Sequence, residues 1–512
     1  MSTPGDDVKA YSERFGTAAD RMDMYRMGKT QKLRRNFGFL SIFGFSMILL
    51  STWETQLGSA VNGINNGGTA GMIYVYIGTF IGFSAVIASM AEMASMAPTA
   101  GGQYHWVSEF SPKEYQKFLS YMVGWLSALG WQTGAASSAF LAGTEIQALI
   151  VLNYPTTYHM KPWHGSLMVI CLTIICGIFN TFLARKLPLV EGTVLILHVI
   201  GFFAVMIPLW ILAPRTPAEE VFTSFMDNGW GNQGLSCLVG ILTPTVALIG
   251  SDAATHMSEE LQDASYTLPR AMMATAVFNG ILGFLMLITF CFCLGDVDAV
   301  RASPAGALYP FVQVFADGTQ SIGGATVMTS VLITLSVFCC ITNIATASRQ
   351  LFAFARDNGI PFAKVFAYVP PGWDIPLNAV ILTLVFVSAL SLINIGSTIA
   401  YNTITSLGVC ALVSSYMVSI SCVTLKRWRG EPLLKRRFSL GQYGMAINAF
   451  SVLFLLLVFV MCFFPPEPNP PPSVMNWSII MYGAVMLFSL IYYYFKGRHV
   501  YVGPVKYVRK DQ

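Results

Sequence analysis

The stretch GFLSIFGFSMILLSTWETQLGSAV, residues 38–61, decides the fold of this 512-residue chain. It is long and apolar enough to cross a bilayer, because a helix needs about 20 residues to span about 30 Å of hydrocarbon. About two-thirds of the way along, the carboxylate of Glu54 interrupts the apolar run, with Ser51, Thr55 and Gly58 as helix-weakening neighbours. An ionisable residue inside a span faces a cavity or a partner far more often than lipid. The stretch therefore predicts a transmembrane helix that is broken at a functional position.

Eleven further apolar stretches of similar length follow this one. Apolar residues make up 54% of the chain and charged residues 11%, against about 25% charged in soluble domains. A water-soluble globular protein is therefore excluded, and the predicted fold class is an all-α integral membrane protein with twelve transmembrane helices. We place the predicted spans, numbered 1 to 12, near residues 38–61, 69–93, 118–142, 165–183, 189–213, 235–256, 271–294, 325–347, 377–395, 399–424, 446–464 and 475–495.

The basic residues fall almost entirely on one side of this path. Of the 30 Lys and Arg, only Lys161, Arg215 and Arg301 lie in connections on the other side. Positive charge is retained in the cytoplasm in the usual topology, so we expect both termini to be cytoplasmic. The first 36 residues are polar and contain no apolar run typical of a cleaved signal peptide. The plasma membrane is the expected location.

Span 6 repeats the pattern of span 1. Asp252 lies in an otherwise apolar stretch, beside Pro244, Gly250 and Ser251. Span 1 runs outward and span 6 inward, so the two correspond in an inverted repeat of five spans each. Paired interruptions in equivalent positions of two halves are the best sequence indication of a transporter binding site. The expected organisation is a tail (1–36), a ten-helix core (37–425, repeats 37–213 and 235–425), two peripheral helices (446–495) and a tail (496–512).

A broken helix in the bilayer persists only where its freed backbone groups face protein, water or a ligand. The exposed half-helix N-termini favour a carboxylate, and the C-terminal ends favour a cation. A zwitterion suits such a site. We expect its carboxylate near Thr55 and Ser251, and its amino group at carbonyl oxygens or Glu54.

Three side chains are candidates for coupling to a proton, and each has a second interpretation. Glu54 takes up the proton, or it accepts hydrogen bonds that hold the unwound backbone. Asp252 contacts substrate or proton, or it belongs to an inner gate. His256 relays protons, because histidine titrates near neutral pH, or it is simply hydrogen-bonded at a helix end. His198, alone on apolar span 5, is expected to be a hydrogen-bonded core residue.

Three motifs carry a resemblance to a known family. The run AEMASMAPTAGGQYHWV, residues 91–107, closely resembles the signature that follows span 2 in the fungal amino acid/choline transporter family. That family belongs to the amino acid-polyamine-organocation (APC) superfamily and includes GABA and choline permeases. Residues 250–260 (GSDAATHMSEE) and 348–361 (SRQLFAFARDNGIP) also match, and the resemblance extends from about residue 37 to 495. It implies a fold of the LeuT/APC type with spans 1 and 6 broken, and solute transport that is often coupled to protons.

The resemblance also indicates a site. Trp53-Glu54-Thr55 correspond to the unwound Gly-Ser-Gly segment of superfamily relatives, where backbone amides hold the substrate carboxylate. Span 6 has Val246 and Ile249 where relatives often place an aromatic gate. Trp53 could stack on an ammonium group or pack against neighbouring helices. The candidate substrate-binding residues are Ser51, Trp53, Glu54, Thr55, Val246, Ile249, Gly250, Ser251 and Asp252.

The predicted function is therefore a proton symporter that imports a small amino acid or related amine, such as GABA, by alternating access. The alternatives are a choline or polyamine permease, and a non-transporting nutrient receptor on the same fold. A membrane enzyme is not predicted, because no catalytic triad, metal-ligand cluster or phosphate loop is found. The expected partners are the substrate, a coupling proton and the lipid bilayer, with no cofactor, metal or nucleic acid. Asn476, in the only Asn-x-Ser/Thr sequon, is a glycosylation candidate.

Overall fold

The computed structural model describes residues 16–396 and 400–504. Three predicted features therefore lie partly outside it: residues 1–15 of the first tail, residues 505–512 of the second, and position 399, the predicted start of span 10. Across the described ranges the chain is helical, without a β-strand. One isolated parallel bridge joins Phe37 to Leu261, with Phe37 N donating to Glu260 O (3.0 Å) and Gln262 N to Phe37 O (2.9 Å).

Eleven described helices are long and apolar enough to cross a membrane. The remaining predicted span, span 1, is divided into Phe39–Leu50, Thr52–Gly58 and Ala60–Asn65, each too short to cross alone. Together they confirm the twelve predicted spans. Spans 2 to 12 are Gly68–Met96, Gln116–Asn153, Pro162–Phe182, Ala184–Leu212, Gln233–His256, Ala264–Cys293, Ile322–Arg356, Leu377–Gly396, Tyr401–Trp428, Gly441–Met461 and Ser478–Val500.

Span 1 breaks at Ser51. This residue adopts the left-handed conformation (φ 40°, ψ 50°), which costs a non-glycine residue about 1–2 kcal/mol. Two carbonyl groups near the break have side-chain donors: Ser51 Oγ donates to Ile48 O (2.5 Å), and Cys339 Sγ donates to Leu49 O (3.2 Å). The predicted break is confirmed, and part of its cost is offset by contacts from span 8.

Span 6 breaks at Gly250. The helix Leu242–Leu248 ends at an extended Ile249 (ψ 151°), and a short helix, Ala253–His256, follows. Gly250 has φ 108°, a value that is open to glycine and strained for other residues. The second predicted break is therefore also confirmed. The two broken helices touch beyond their breaks, where Thr243 Oγ1 donates to Ser59 O (2.9 Å).

Spans 3 and 8 are longer than the apolar pattern predicts. Span 3 was expected over 118–142 and runs Gln116–Asn153, while span 8 was expected over 325–347 and runs Ile322–Arg356. The added turns are polar but pack against protein, as the buried Thr144 and Arg349 show. Hydropathy detects only the part that lipid requires to be apolar, so it underestimates helices that continue inside the protein.

Three short helices lie at one end of the bundle, in the connections between spans 5 and 6 and between spans 7 and 8: Ala218–Thr223, Val297–Ala302 and Pro310–Thr319. At the opposite end, the helix Ala18–Arg26 and the segment leading to span 1 pack beneath spans 6 and 8. Spans 11 and 12 lie at the periphery, with Tyr482 of span 12 donating to Ser414 of span 10 (3.0 Å).

Candidate substrate and proton site

A cavity of about 90 Å³ lies where the two broken helices meet. Such a volume holds several water molecules or one small solute. Five of the predicted substrate-binding residues line it, namely Ser51, Thr55, Val246, Ile249 and Gly250. The described residues of its wall include no Asp, Glu, Lys, Arg or His. The cavity therefore suits a solute without net charge.

Spans 3, 8 and 10 complete the wall with residues that the sequence did not single out. Trp131, Asn343 and Tyr401 are among them, and Phe140 stacks on Tyr401 with ring centroids 5.8 Å apart. Small polar and aromatic residues recur throughout the spans. Their position in the sequence therefore carries no signal that would separate wall residues from packing residues.

Four candidates do not reach the cavity wall: Trp53, Glu54, Ser251 and Asp252. Trp53 instead packs edge-on against Phe202 of span 5, with ring centroids 6.0 Å apart. This contact matches the packing interpretation of Trp53. The left-handed turn at Ser51 orients the next helix so that Trp53 and Glu54 face span 5 rather than the cavity.

Glu54 is bonded to a histidine in the membrane interior. Its Oε1 lies 2.7 Å from His198 Nδ1, and both side chains are fully buried. The other ring nitrogen, Nε2, lies 3.2 Å from Asn279 Oδ1, while Asn279 Nδ2 donates to Met47 O (2.9 Å). His198 is thus a hydrogen-bonded core histidine, as expected, but its partner is the carboxylate beside the break.

These contacts indicate how many protons the Glu54–His198 pair holds. Asn279 uses its amide N–H on a carbonyl, so its oxygen must accept from His198 Nε2–H. The Nδ1 to Oε1 contact then contains one further proton, carried by either His198 or Glu54. Loss of this proton would leave a net negative charge beside the break, with Glu54 Oε2 already lacking a partner. The two side chains therefore share one proton in this structure.

Asp252 lies below the cavity in a dense hydrogen-bond network. Gln103 Nε2 (2.7 Å), Trp131 Nε1 (3.2 Å) and Tyr416 OH all donate to its carboxylate. Trp131 also lines the cavity, so the network forms the cavity floor. This geometry matches the inner-gate interpretation of Asp252.

His256 belongs to the same network. Its Nδ1 donates to Ala100 O (2.8 Å), which leaves Nε2 facing Asp252 Oδ2 at 3.4 Å. A neutral His256 presents a lone pair to the carboxylate there, and a protonated one forms an ion pair with it. The two remaining proton candidates are therefore in contact with each other.

One end of the bundle is closed by buried ion pairs, and we call it the ion-paired face. Arg349, Arg356 and Asp357 each have an oppositely charged partner there. The pairs are Arg349–Glu260 (2.9 Å), Arg356–Glu259 (2.6 Å) and Lys29–Asp357 (2.6 Å). Arg356 holds Glu259 through both guanidinium ends, a geometry that adds strength and direction.

On this face Glu259 stays negatively charged and His105 stays neutral at ordinary pH. Burial alone would raise the pKa of Glu259, but Arg356, Lys29 and Arg35 outweigh it and lower the pKa to about 2. Burial and then the cations Lys29 and Arg26 lower the pKa of the neighbouring His105 to about 3.

At the opposite end lies a second cavity of about 390 Å³, which we call the vestibule. Gly58, Thr144, Gln147 and Tyr309 are among its lining residues. Tyr401 lines both cavities and so stands between them.

The glycosylation candidate is not supported. Asn476 is 6% exposed, and its Nδ2 donates to Cys462 O (3.0 Å) and Phe464 O (3.1 Å). A glycan is attached through this same nitrogen, so the folded chain has no room for one. The sequon reflects a side chain that ties the ends of spans 11 and 12 together.

Twelve spans, two opposed breaks and a cavity between them define a membrane solute carrier of the LeuT/APC fold. Residues 37–485 match the amino acid permease family model. The chain belongs to the amino acid permease family.

Fungal relatives are similar over most of the chain. A protein of Macrophomina phaseolina named as an amino acid/polyamine transporter is 30% identical, over 85% of this chain and 96% of the relative. Amino-acid permease 2 of Neurospora crassa is 28% identical (94% and 88%). The choline transporter of Saccharomyces cerevisiae is 26% identical (91% and 82%).

Proposed function

We propose that this protein is a proton symporter that imports a small amino acid or a related amine, such as GABA, by alternating access. The observation that carries the proposal is the uncharged cavity between the two breaks, closed toward the ion-paired face. In this proposal residues 37–213 and 235–425 are the two repeats, the ion-paired face is cytoplasmic with both termini, and the membrane is the plasma membrane.

The wall of the cavity supports a zwitterionic substrate. It contains no side chain that would balance a net charge, so both charged ends of the solute would be met by dipoles. The backbone around Ser51 and Gly250 departs from helical geometry and can supply N–H and C=O groups to them. The relatives named as amino acid permeases or amino acid/polyamine transporters agree with this class.

The Glu54–His198 pair supports proton coupling. It lies next to the break without lining the cavity, so its charge acts on the span 1 backbone rather than on the substrate directly. In the proposed cycle, protonation neutralises the pair and permits the broken span to move. Deprotonation after opening resets it.

Opening toward the cytoplasm requires three layers to separate. The Asp252 network forms the first, the buried Arg–Glu pairs form the second, and the N-terminal segment beside Lys29 forms the third. All three involve spans 6 or 8 and the segments around them. A rotation of the broken spans against spans 3 and 8 would separate them together.

Substitution of Glu54 by Gln tests the coupling. We expect accumulation driven by a pH gradient in proteoliposomes to fall about tenfold or more, because the shared proton can no longer be exchanged. Exchange of labelled for unlabelled substrate should persist, since Glu54 does not line the cavity. The exposed Glu219→Gln is the matched control. Normal pH-driven accumulation by Glu54→Gln would remove Glu54 from the mechanism.

A choline-like substrate is the second candidate. The rings of Trp131 and Tyr401 in the cavity wall could hold a trimethylammonium group, and one relative is named a choline transporter. Competition between labelled GABA and choline separates the candidates. If the protein is an amino acid permease, we expect GABA or another small amino acid to displace labelled GABA from it. Choline should compete with an affinity at least about tenfold weaker.

A further inference from the structure

Two more carboxylates are buried in the membrane-spanning helices without an ion-pair partner in the described part of the chain, Glu145 on span 3 and Glu191 on span 5. Both residues are fully buried, and none of their four carboxylate oxygens has a hydrogen-bond partner. An ionised carboxylate in such surroundings is costly by several kcal/mol, whereas the neutral acid is tolerated. Among the described residues neither carboxylate has a hydrogen-bond or ion-pair partner that would explain its presence. A role other than pairing must therefore explain why these two carboxylates are buried here.

Glu145 lies on the vestibule side of the Glu54–His198 pair. A Cβ atom added to Gly58 would stand 3.4 Å from Glu145 Oε1, so the carboxylate lies directly behind a glycine that lines the vestibule. Gly58 follows Glu54 by four residues, about 6 Å along the helix. Glu145 is thus one turn nearer the vestibule than Glu54.

The groups that face Glu145 come from spans 1 and 10 and from the helix Pro310–Thr319 with its flank. Glu54, Tyr309 and Tyr401 are the titratable ones close enough to interact with it electrostatically. Ser336 of span 8, a cavity-wall residue, stands nearby without completing a hydrogen bond. No cation faces Glu145 among the described residues.

Glu191 lies on the other side of the pair. A Cβ atom on Gly44 would meet its backbone oxygen at 2.8 Å, so it is level with a residue ten positions before Glu54, about 15 Å nearer the ion-paired face. Glu191 and His198 are seven residues apart on one helix and so share a face. Within the described chain no charged or titratable group faces Glu191 from the packed elements.

We propose that Glu145 and Glu191 are the entry and exit residues of a proton path whose central station is Glu54–His198. The proposal rests on the proton coupling proposed above and extends it to the route. Three carboxylates then stand at three depths along span 1, one at the vestibule, one at the break and one toward the ion-paired face.

The steps balance with water alone. Glu145 takes a proton from vestibule water and passes it, through water that enters between spans 1 and 3, to the Glu54–His198 pair. When the ion-paired face opens, the pair gives the proton to Glu191, which releases it to water on that side. Only O–H and N–H bonds form and break, and one proton crosses in each cycle.

The test uses the full chain in proteoliposomes that contain a pH-sensitive dye. The variants Glu145→Gln and Glu191→Gln keep size and remove the ionisable group, and Glu220→Gln, exposed in an outer helix, is the control. Substrate exchange at equal pH and the thermal midpoint in detergent check that each variant is folded. The deciding readout is the number of protons moved for each substrate, because a structural role would leave that ratio unchanged.

We expect the rate of substrate exchange in both variants to lie within about twofold of the wild-type rate. The substrate-driven proton flux should fall about tenfold in both. The control should retain the full ratio. A wild-type ratio in both variants would overturn the path while leaving proton coupling intact. Absence of substrate-driven proton flux in the wild type itself would overturn the coupling and the path together.

Discussion

Buried carboxylates occur in two regions of this protein, and the surroundings differ. On the ion-paired face Glu259, Glu260 and Asp357 each have a cation within hydrogen-bond distance, and so do Asp20 and Glu92. Around span 1 in the membrane interior, Glu54 is bonded to His198, whereas the carboxylates of Glu145 and Glu191 have no hydrogen-bond partner among the described residues. A paired carboxylate keeps its charge over a wide pH range, whereas an unpaired one changes charge with its proton. The first region is therefore suited to holding a conformation, and the second is the region in which we propose that protons move.

The largest expected effect comes from breaking the first region. Arg356→Ala leaves Glu259, whose side chain is 1% exposed, without its bidentate partner. Loss of one member of a buried pair costs about 3–5 kcal/mol, so we expect a clear fall in the free energy of unfolding and in the thermal midpoint. Arg429→Ala is the matched control, because Arg429 is 48% exposed and its contact with Glu431 is 3.9 Å. That control should lose less than about 1 kcal/mol.

A thermal midpoint of Arg356→Ala close to that of Arg429→Ala would mean that the pair does not hold the closed state. The contrast between the two regions would then depend only on the burial of the carboxylates, and no longer on the ion pairs. If the double variant Arg356→Ala/Glu259→Ala regains stability, the contrast between the two regions is strengthened. The stability lost in Arg356→Ala would then be shown to come from the unpaired charge of Glu259.

A smaller effect is expected at the cavity floor. Tyr416→Phe removes a hydroxyl donor from the Asp252 carboxylate, a bond to a charged group worth about 1.5–3 kcal/mol. We expect opening toward the ion-paired face to increase by about tenfold or more. Alkylation at Ser419→Cys, on the buried floor of span 10, measures that opening by mass spectrometry of the labelled peptide.

Tyr482→Phe is the control for this change, because Tyr482 donates to a neutral hydroxyl on a peripheral helix. Equal labelling in the two tyrosine variants would show that the Asp252 network does not restrain opening.

The smallest expected effect is an absence of change with pH. With its pKa lowered from 4.5 to about 2, Glu259 contributes stability that is fully present above pH 4.5 and is lost only as the pH falls through about 2. His105, with a pKa of about 3 in the folded chain, stays neutral over the same range. Labelling at Ser419→Cys, divided by labelling at the exposed Glu219→Cys to cancel the pH dependence of the thiolate, should therefore be constant between pH 5 and 8 while transport varies. A rise in this relative labelling from pH 7 to 5 would show that opening of the ion-paired face depends on pH, and would contradict the expectation.

The sequence predicts the fold and the two breaks because both follow from local chemistry. Gly250 permits a backbone that other residues resist, and a carboxylate in an apolar run signals a position away from lipid. The side of span 1 that faces the cavity was not predictable, because it depends on the left-handed turn at Ser51. That turn places Glu54 against His198, 144 positions later.

Other parts of the site depend on contacts that periodicity does not record. Glu145 lies three residues beyond the predicted end of span 3 at 142, since the apolar count stops where the helix becomes polar inside the protein. Asn279 places a proton on His198 Nε2 because its own amide N–H is used on a carbonyl of span 1. Neither relation is visible without the fold.

The bridge at Phe37 has a consequence for evolution and for engineering. Both of its bonds join main-chain atoms, so they persist whichever side chain occupies position 37 or 262. Proline is the exception, because it has no N–H to donate. The attachment of the N-terminal segment to the residues before span 7 therefore tolerates most changes at the exposed Gln262, whereas a smaller residue at the fully buried Phe37 would keep the two bonds and lose core packing.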